Sequence, residues 1–323
     1  MKHFLEINQL SFDDATQLIQ RALYFKQTSN YPSYAHHTVA TLFYENSTRT
    51  RISFELAATH LNMHVINMNI QHSSEQKGEV MEDTIHTLAA MGVTIFVIRH
   101  SQNGLPQAMA GAFPAGVHIV NAGDGTHAHP TQALLDLMTI IEQKPNLDRL
   151  KIAIVGDLLH SRVANSLQNI CALLGVGELV LVAPEIWLPR VVQYGRVTTS
   201  LRDGVTNADV VIGLRVQRER LSKGVHMDLR RYHRNYGITR ESLADAKDDV
   251  MIMHPGPINR GVEMDSDVAD GPRSFILKQV QNGVFMRMAI LEALVSYCTS
   301  NGTLDKPRSN TSPSPPEPGQ SDF

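Results

Sequence analysis

Cysteine is nearly absent from the 323 residues: Cys171 and Cys298 stand far apart, each in an apolar helical context. Two isolated thiols make neither a disulfide framework nor a metal-ligand spacing, which points to a reducing compartment. Charge of one sign is lacking too, since 29 basic residues face 32 acidic ones and the formal net charge is -3. No global field draws such a chain to nucleic acid or an anionic membrane, so any anion site must be local. No apolar run reaches transmembrane length, and Met1-Lys2-His3-Phe4-Leu5-Glu6 meets an acid too soon for the apolar core of a signal peptide. The expectations are a cytoplasmic location, no membrane and no nucleic acid.

The 42% hydrophobic content is enough for a substantial core and, at this length, for two domains. Ser11 followed by Asp13 and Asp14 reads as a capped helix start, and Phe12, Ala15, Leu18, Ile19 and Ala22 recur at helical spacing, which predicts an opening amphipathic helix. Short apolar runs then alternate with helical patterns. Val39 to Tyr44, His64 to Asn69, Val93 to Ile98 and Val117 to Asn121 read as strands of a buried parallel sheet. A helix from His129 to Pro145 leads into a second series of strands at 151–155, 178–182, 209–212 and 250–253. The fold class expected is α/β: two doubly wound parallel-sheet domains joined by interdomain helices. Residues 1–130 form the first domain, completed by a C-terminal helix at 285–300, and 131–284 form the second. Residues 301–323, rich in Pro, Ser, Asp and Gly, are expected to be a disordered tail. Ser33 to His37 and the basic stretch Arg230 to Arg234 read as surface loops or helix ends.

Chemistry gathers where strands end. Ser47-Thr48-Arg49-Thr50-Arg51 lies between a strand and a helix, where open backbone N–H groups, hydroxyls and guanidinium groups suit a phosphate. Capping of the helix by Ser47 or Thr48 is the plainer alternative. Gly156-Asp157 invites a dinucleotide reading, but Leu158, Leu159 and His160 replace the further glycines, so no nicotinamide cofactor is expected. Arg162, opening the next helix, is placed for a carboxylate. His127-Ala128-His129 lacks further metal ligands at usual spacing, so no metal is expected. His129, just before Pro130, stands at a helix entry, where a neutral imidazole can donate to a developing oxyanion, or else simply cap or pack. The polar loop Ser73 to Glu79 adds Ser73 and Lys77, Arg215-Val216-Gln217 ends one strand, and His254-Pro255-Gly256-Pro257 makes a rigid turn after another. Arg49, Arg99, Arg162, Arg215 and Lys77 together imply a polyanionic substrate set.

These motifs, with Arg99-His100 and His129-Pro130-Thr131-Gln132, resemble the aspartate/ornithine carbamoyltransferases, and within them the aspartate carbamoyltransferase catalytic chain, in order over roughly residues 3 to 298. The resemblance implies transfer of the carbamoyl group of carbamoyl phosphate to the amine of L-aspartate, a step of pyrimidine biosynthesis, without a cofactor. It implies that Ser47, Thr48, Arg49, Thr50 and Arg99 hold carbamoyl phosphate, with His129 and Gln132 beside its carbonyl and amide. Arg162, Arg215 and Gln217 match aspartate binders, and the Pro255 and Gly256 carbonyls face the carbamoyl NH2. Ser73 and Lys77 reach a neighbouring subunit's site, Lys77 also toward aspartate, so a homotrimer is the minimal active unit. Some relatives also pair with regulatory or dihydroorotase-like chains. The ornithine enzymes share the first half but carry a His-Cys-Leu-Pro turn and a Ser-Met-Gly loop, which are not found here; a non-catalytic homologue would have lost some of these residues. Gly256 stands where some members carry Leu, and glycine permits other φ values there.

Overall fold

The computed structural model describes residues 1–70, 78–113, 116–217 and 228–300. Ser73, Lys77 and the expected tail 301–323 lie outside the described residues. Helix α1 (Phe12–Thr28) starts on a reciprocal capping box, in which the Asp14 N–H donates to Ser11 Oγ at 3.1 Å and the Ser11 N–H to Asp14 Oδ2 at 3.0 Å. Strands β1 (Thr38–Phe43), β2 (His64–Asn67), β3 (Ile95–His100) and β4 (His118–Asp124) form a parallel sheet in the order β2-β1-β3-β4. Helices α2 (Thr48–His60), α3 (Met81–Ala90) and α4 (Leu105–Ala112) make the crossovers. Val39, Ala40, Leu42 and the whole of 95–98 are buried, which explains their unbroken apolar character.

Helix α5 (Pro130–Ile141) connects this sheet to the next, and every residue from Pro130 to Ile140 is buried. The second parallel sheet has β5 (Lys151–Val155), β6 (Glu178–Val182), β7 (Arg196–Thr198), β8 (Val210–Gly213) and β9 (Met251–Met253) in the order β7-β6-β5-β8-β9. Around it lie α6 (Arg162–Leu174), α7 (Leu201–Val205), α8 (Leu229–Tyr236) and the short α9 (Ser266–Ala269). The last helix, α10 (Ile276–Ser300), packs on α1, α2 and α5. One apolar cluster runs through Val97, Leu134, Ile290 and Ile152, so the core is continuous from one sheet to the other.

The strand orders decide where a ligand goes. From β1 the chain steps outward to β2 and returns on the other side of β1 as β3; from β5 it steps out to β7 and returns beside β5 as β8. Winding therefore reverses between β1 and β3 and between β5 and β8, and the loops beyond those strand ends part to leave a crevice.

Several elements differ from expectation. The final helix begins at Ile276 rather than near residue 285, because Leu277 and Val280 are exposed and leave its first turns without an apolar stripe to betray them. Helix α5 stops at Ile141, short of Pro145. The basic stretch 230–234 lies inside α8, whose Tyr232 is buried against Trp187 at 5.3 Å between ring centroids. Tyr34 and His37 are held rather than loose: the Tyr34 hydroxyl donates to Glu292 at 2.9 Å, and His37 is buried.

Candidate functional site

Both winding reversals open into one cleft of about 490 Å³, within the range of small-molecule sites. Its first wall is the start of α2. Ser47 holds the N-cap position in an extended conformation, yet its hydroxyl makes no capping bond, and no acid lies in the first turn. The first turn, which lines the cleft, therefore keeps the partial positive charge of a helix N-terminus without a side-chain cap. Thr50 is buried there, and Arg49 makes no hydrogen bond or ion pair among the described residues. Arg49 lies against the turn after β9. Gly256 has φ +72°, and a Cβ on it would stand 2.7 Å from Arg49 Cζ, so glycine serves both the left-handed backbone and the guanidinium.

Arg99, at the end of β3, donates from Nη1 to the Ala122 carbonyl at 3.2 Å and lies 3.5 Å from Glu45. The same carboxylate takes a 2.8 Å bond from Arg162 Nη2, while Arg162 Nη1 donates to the Gly125 carbonyl at 3.0 Å. Glu45, in the loop after β1, thus joins an arginine of each half. His129 holds the N-cap position of α5, its backbone N–H bonded to Ser166 Oγ at 2.9 Å, and its Nδ1 is buried without a hydrogen-bond partner among the described residues. Burial, and then the charges of Arg99, Arg162 and Arg287, hold its pKa well below the ordinary histidine value, so the ring is neutral.

The opposite wall comes from the second sheet. At Gly156, φ +140°, an added Cβ would stand 2.5 Å from the Leu214 carbonyl oxygen, so the ends of β5 and β8 meet only over glycine. Arg162 follows on α6, and Arg215 and Gln217 follow β8; Gln217 Nε2 donates to the His160 carbonyl at 3.0 Å. In the turn after β9 the Gly256 N–H donates to His254 Nδ1 at 2.8 Å, which leaves the ring proton on Nε2, facing buried Glu263 at 3.5 Å.

Twelve of the fourteen expected site residues line this cleft: Ser47, Thr48, Arg49, Thr50, Arg99, His129, Gln132, Arg162, Arg215, Gln217, Pro255 and Gly256. The other two, Ser73 and Lys77, lie outside the described residues. Sequence reasoning missed Glu45, Asp136, Gln279 and Arg287. Arg287 lines the cleft from α10, buried over the Phe54 ring at 5.0 Å and bonded to Thr131 Oγ1 at 3.3 Å. Its signal, and that of Asp136, was a charged residue inside an apolar helical run. Among the described residues no group of three or more His, Cys, Asp and Glu side chains is arranged to hold a metal ion.

Comparison with known proteins agrees with this geometry. Residues 2–142 match the aspartate/ornithine carbamoyltransferase carbamoyl-P binding domain, and residues 148–294 match the Asp/Orn binding domain. An aspartate carbamoyltransferase catalytic subunit of Legionella pneumophila (strain Corby) is 63% identical over 295 residues, covering 91% of this chain and 99% of the relative. One from Coxiella burnetii (strain Dugway 5J108-111) is 47% identical over 297 residues, 90% and 95% of the two chains. The crystal structure of Trypanosoma cruzi aspartate transcarbamoylase with carbamoyl aspartate and phosphate superposes with a TM-score of 0.80 at 30% identity, covering 90% of this chain and 94% of that one. Ornithine carbamoyltransferase from Pyrococcus furiosus gives 0.82 at 27% identity, covering 91% and 97%. The chain belongs to the aspartate/ornithine carbamoyltransferase family.

Proposed function

We propose that this chain transfers the carbamoyl group of carbamoyl phosphate to the amine of L-aspartate, releasing N-carbamoyl-L-aspartate and phosphate. The amine nitrogen bonds to the carbonyl carbon, the bond from that carbon to the phosphate oxygen breaks, and the amine proton leaves with the phosphate. The observation that carries this reading is the convergence of Arg49, Arg99, Arg162, Arg215 and Arg287 on one cleft fed by both sheets. A phosphate bound at one wall and carboxylates at the other match that charge. Ser47, Thr48, Arg49, Thr50 and Arg99 hold the phosphate end, and His129, with Thr50 and Arg99, stabilises the carbonyl oxygen. Gln132 and the carbonyls of Pro255 and Gly256 accept from the carbamoyl NH2, and Arg162, Arg215 and Gln217 hold the aspartate carboxylates. Catalysis comes from attack geometry and charge stabilisation, with no covalent intermediate on the protein. Assay of the purified chain with carbamoyl phosphate and either aspartate or ornithine tests it: transfer to aspartate is expected, and preference for ornithine overturns it. Arg215 and Gln217, suited to a dicarboxylate, favour aspartate.

The domain division at 130/131, with the end of α10 completing the first domain, and a homotrimer with shared sites belong to the same reading. Ser73 and Lys77 of one subunit then complete the site of the next. Ile52 and Leu56, four residues apart on α2 beside the phosphate wall and 43% and 44% exposed, support a subunit contact there. Mass measurement of the assembly tests the trimer and reveals any regulatory or dihydroorotase-like chain bound to it. Among the described residues no helix is long and apolar enough to cross a membrane.

A further inference from the structure

Asp136 sits at the root of the cleft with no part in the chemistry above. It is fully buried in α5, four residues after Gln132, so the two side chains share a helix face. Its Oδ1 accepts from Gln132 Nε2 at 2.8 Å and from Gln279 Nε2 of α10 at 2.7 Å. Because that oxygen accepts, both amides must turn their NH2 groups toward Asp136 and their oxygens away. The Gln279 oxygen then meets the backbone N–H of His254 at 2.9 Å, at the head of the turn that carries Pro255 and Gly256. The Gln132 oxygen is left on the wall of the cleft without a partner among the described residues. Turning either amide over would set NH2 against the His254 N–H, or present a donor to the cleft.

We propose that Asp136 is a positioning residue that selects the carbamoyl donor: through Gln132 and Gln279 it builds a set of acceptor oxygens, Gln132 Oε1 with the Pro255 and Gly256 carbonyls, that takes an NH2 group and disfavours a methyl of the same shape. This rests on the carbamoyl phosphate reading of the cleft. Burial pushes the Asp136 carboxyl up to about 7, opposed by its hydrogen bonds to Gln279 and Gln132 and by the charge of Arg287. Its Oδ2 is buried and without a hydrogen-bond partner among the described residues, so a proton taken up there leaves Oδ1 accepting from both amides. An asparagine reproduces that arrangement with its oxygen at the Oδ1 position.

The test compares KM for carbamoyl phosphate with inhibition constants for acetyl phosphate, which has a methyl in place of the NH2, and for inorganic phosphate. Asp136→Leu is expected to narrow the preference for carbamoyl over acetyl phosphate at least tenfold, a loss typical of a misplaced polar contact, and to leave the inorganic phosphate constant within about threefold. Asp136→Asn is expected to keep the wild-type preference; the narrowed preference of the Leu variant at an unchanged inorganic phosphate constant is what a purely structural role does not predict. Gln279→Met, which frees the His254 turn without touching the Asp136–Gln132 bond, is expected to narrow the preference in the same direction and reads the proposal if Asp136→Leu does not fold. A preference unchanged in the Leu and Met variants, or one lost together with inorganic phosphate binding, overturns the proposal. Failure of the wild-type chain to carbamoylate aspartate overturns the functional reading instead.

Discussion

Replacing His129 with alanine isolates one interaction. The backbone N–H that binds Ser166 survives the change, and Pro130 still opens α5, so the helix entry keeps its path. What is lost is an imidazole that is 5% exposed and held neutral by burial and three arginines. A neutral ring is a hydrogen-bond donor to the carbonyl oxygen as charge builds there, and one such donor contributes roughly 3 kcal/mol to the transition state. At about 1.4 kcal/mol per tenfold, kcat should fall about a hundredfold. KM for carbamoyl phosphate should move less than about threefold, because the proposed phosphate contacts come from α2 and β3 rather than from α5. Steady-state rates of carbamoyl aspartate formation between pH 6 and 9 supply the assay. Since the ring takes up its proton well below the ordinary histidine range, no limb near pH 6.5 should be traceable to it in wild-type kcat. Wild-type kcat in the variant, or a wild-type limb near that pH that vanishes with His129, would refute the oxyanion role.

On the proposed assignment Arg49→Ala removes both a phosphate contact and a transition-state charge and should lose more than His129→Ala, and Gly256→Ala, which drives a methyl into the space of Arg49, should fall between it and wild type; unchanged turnover in Arg49→Ala would remove this arginine from the site. Glu45→Ala should raise KM for aspartate about tenfold, the roughly 1.5 kcal/mol of one charge-assisted hydrogen bond, because Arg162 loses its 2.8 Å partner; an unchanged KM would show that Arg162 needs no such holding. His3, pushed down to about 4 chiefly by burial, binds its proton more weakly folded than unfolded, so its contribution to stability is lost as pH falls from the unfolded value of 6.5 toward 4. His3→Asn keeps an acceptor for the Ile119 N–H and removes that titration, so the drop in Tm between pH 7 and 5 should shrink; a drop as large as wild type would contradict it. Asp136 has the opposite sign, its folded pKa being raised, so its contribution is lost as pH rises from about 4 to 7, and Asp136→Asn should gain more in Tm at pH 8 than at pH 5.

The parallel sheets were legible because strands buried on both faces need unbroken apolar runs, and β1, β3, β5, β6 and β8 have them. Strand β7 was not, since Arg196 and Val197 at the sheet edge are exposed and carry no such signal. The first wall of the cleft was legible for another reason: Ser47 to Thr50 are neighbours in the chain, and a strand end followed by a helix start brings them together by local geometry alone. Arg215, Gln217 and the His254 turn were legible as polar strand ends, though nothing local said they face Arg49.

What the sequence determined by itself was therefore the element order, the two α/β series and the positive charge waiting at strand ends, all consequences of short-range pattern. The tertiary structure alone decided how those charges are held. Glu45 reaches Arg162 across 117 positions, and Asp136 meets Gln279 across 143. Such partners are chosen by how α5, α6 and α10 pack around a shared core, where a buried polar group takes its hydrogen bond from whatever helix lies opposite, and periodicity carries no record of which one that is.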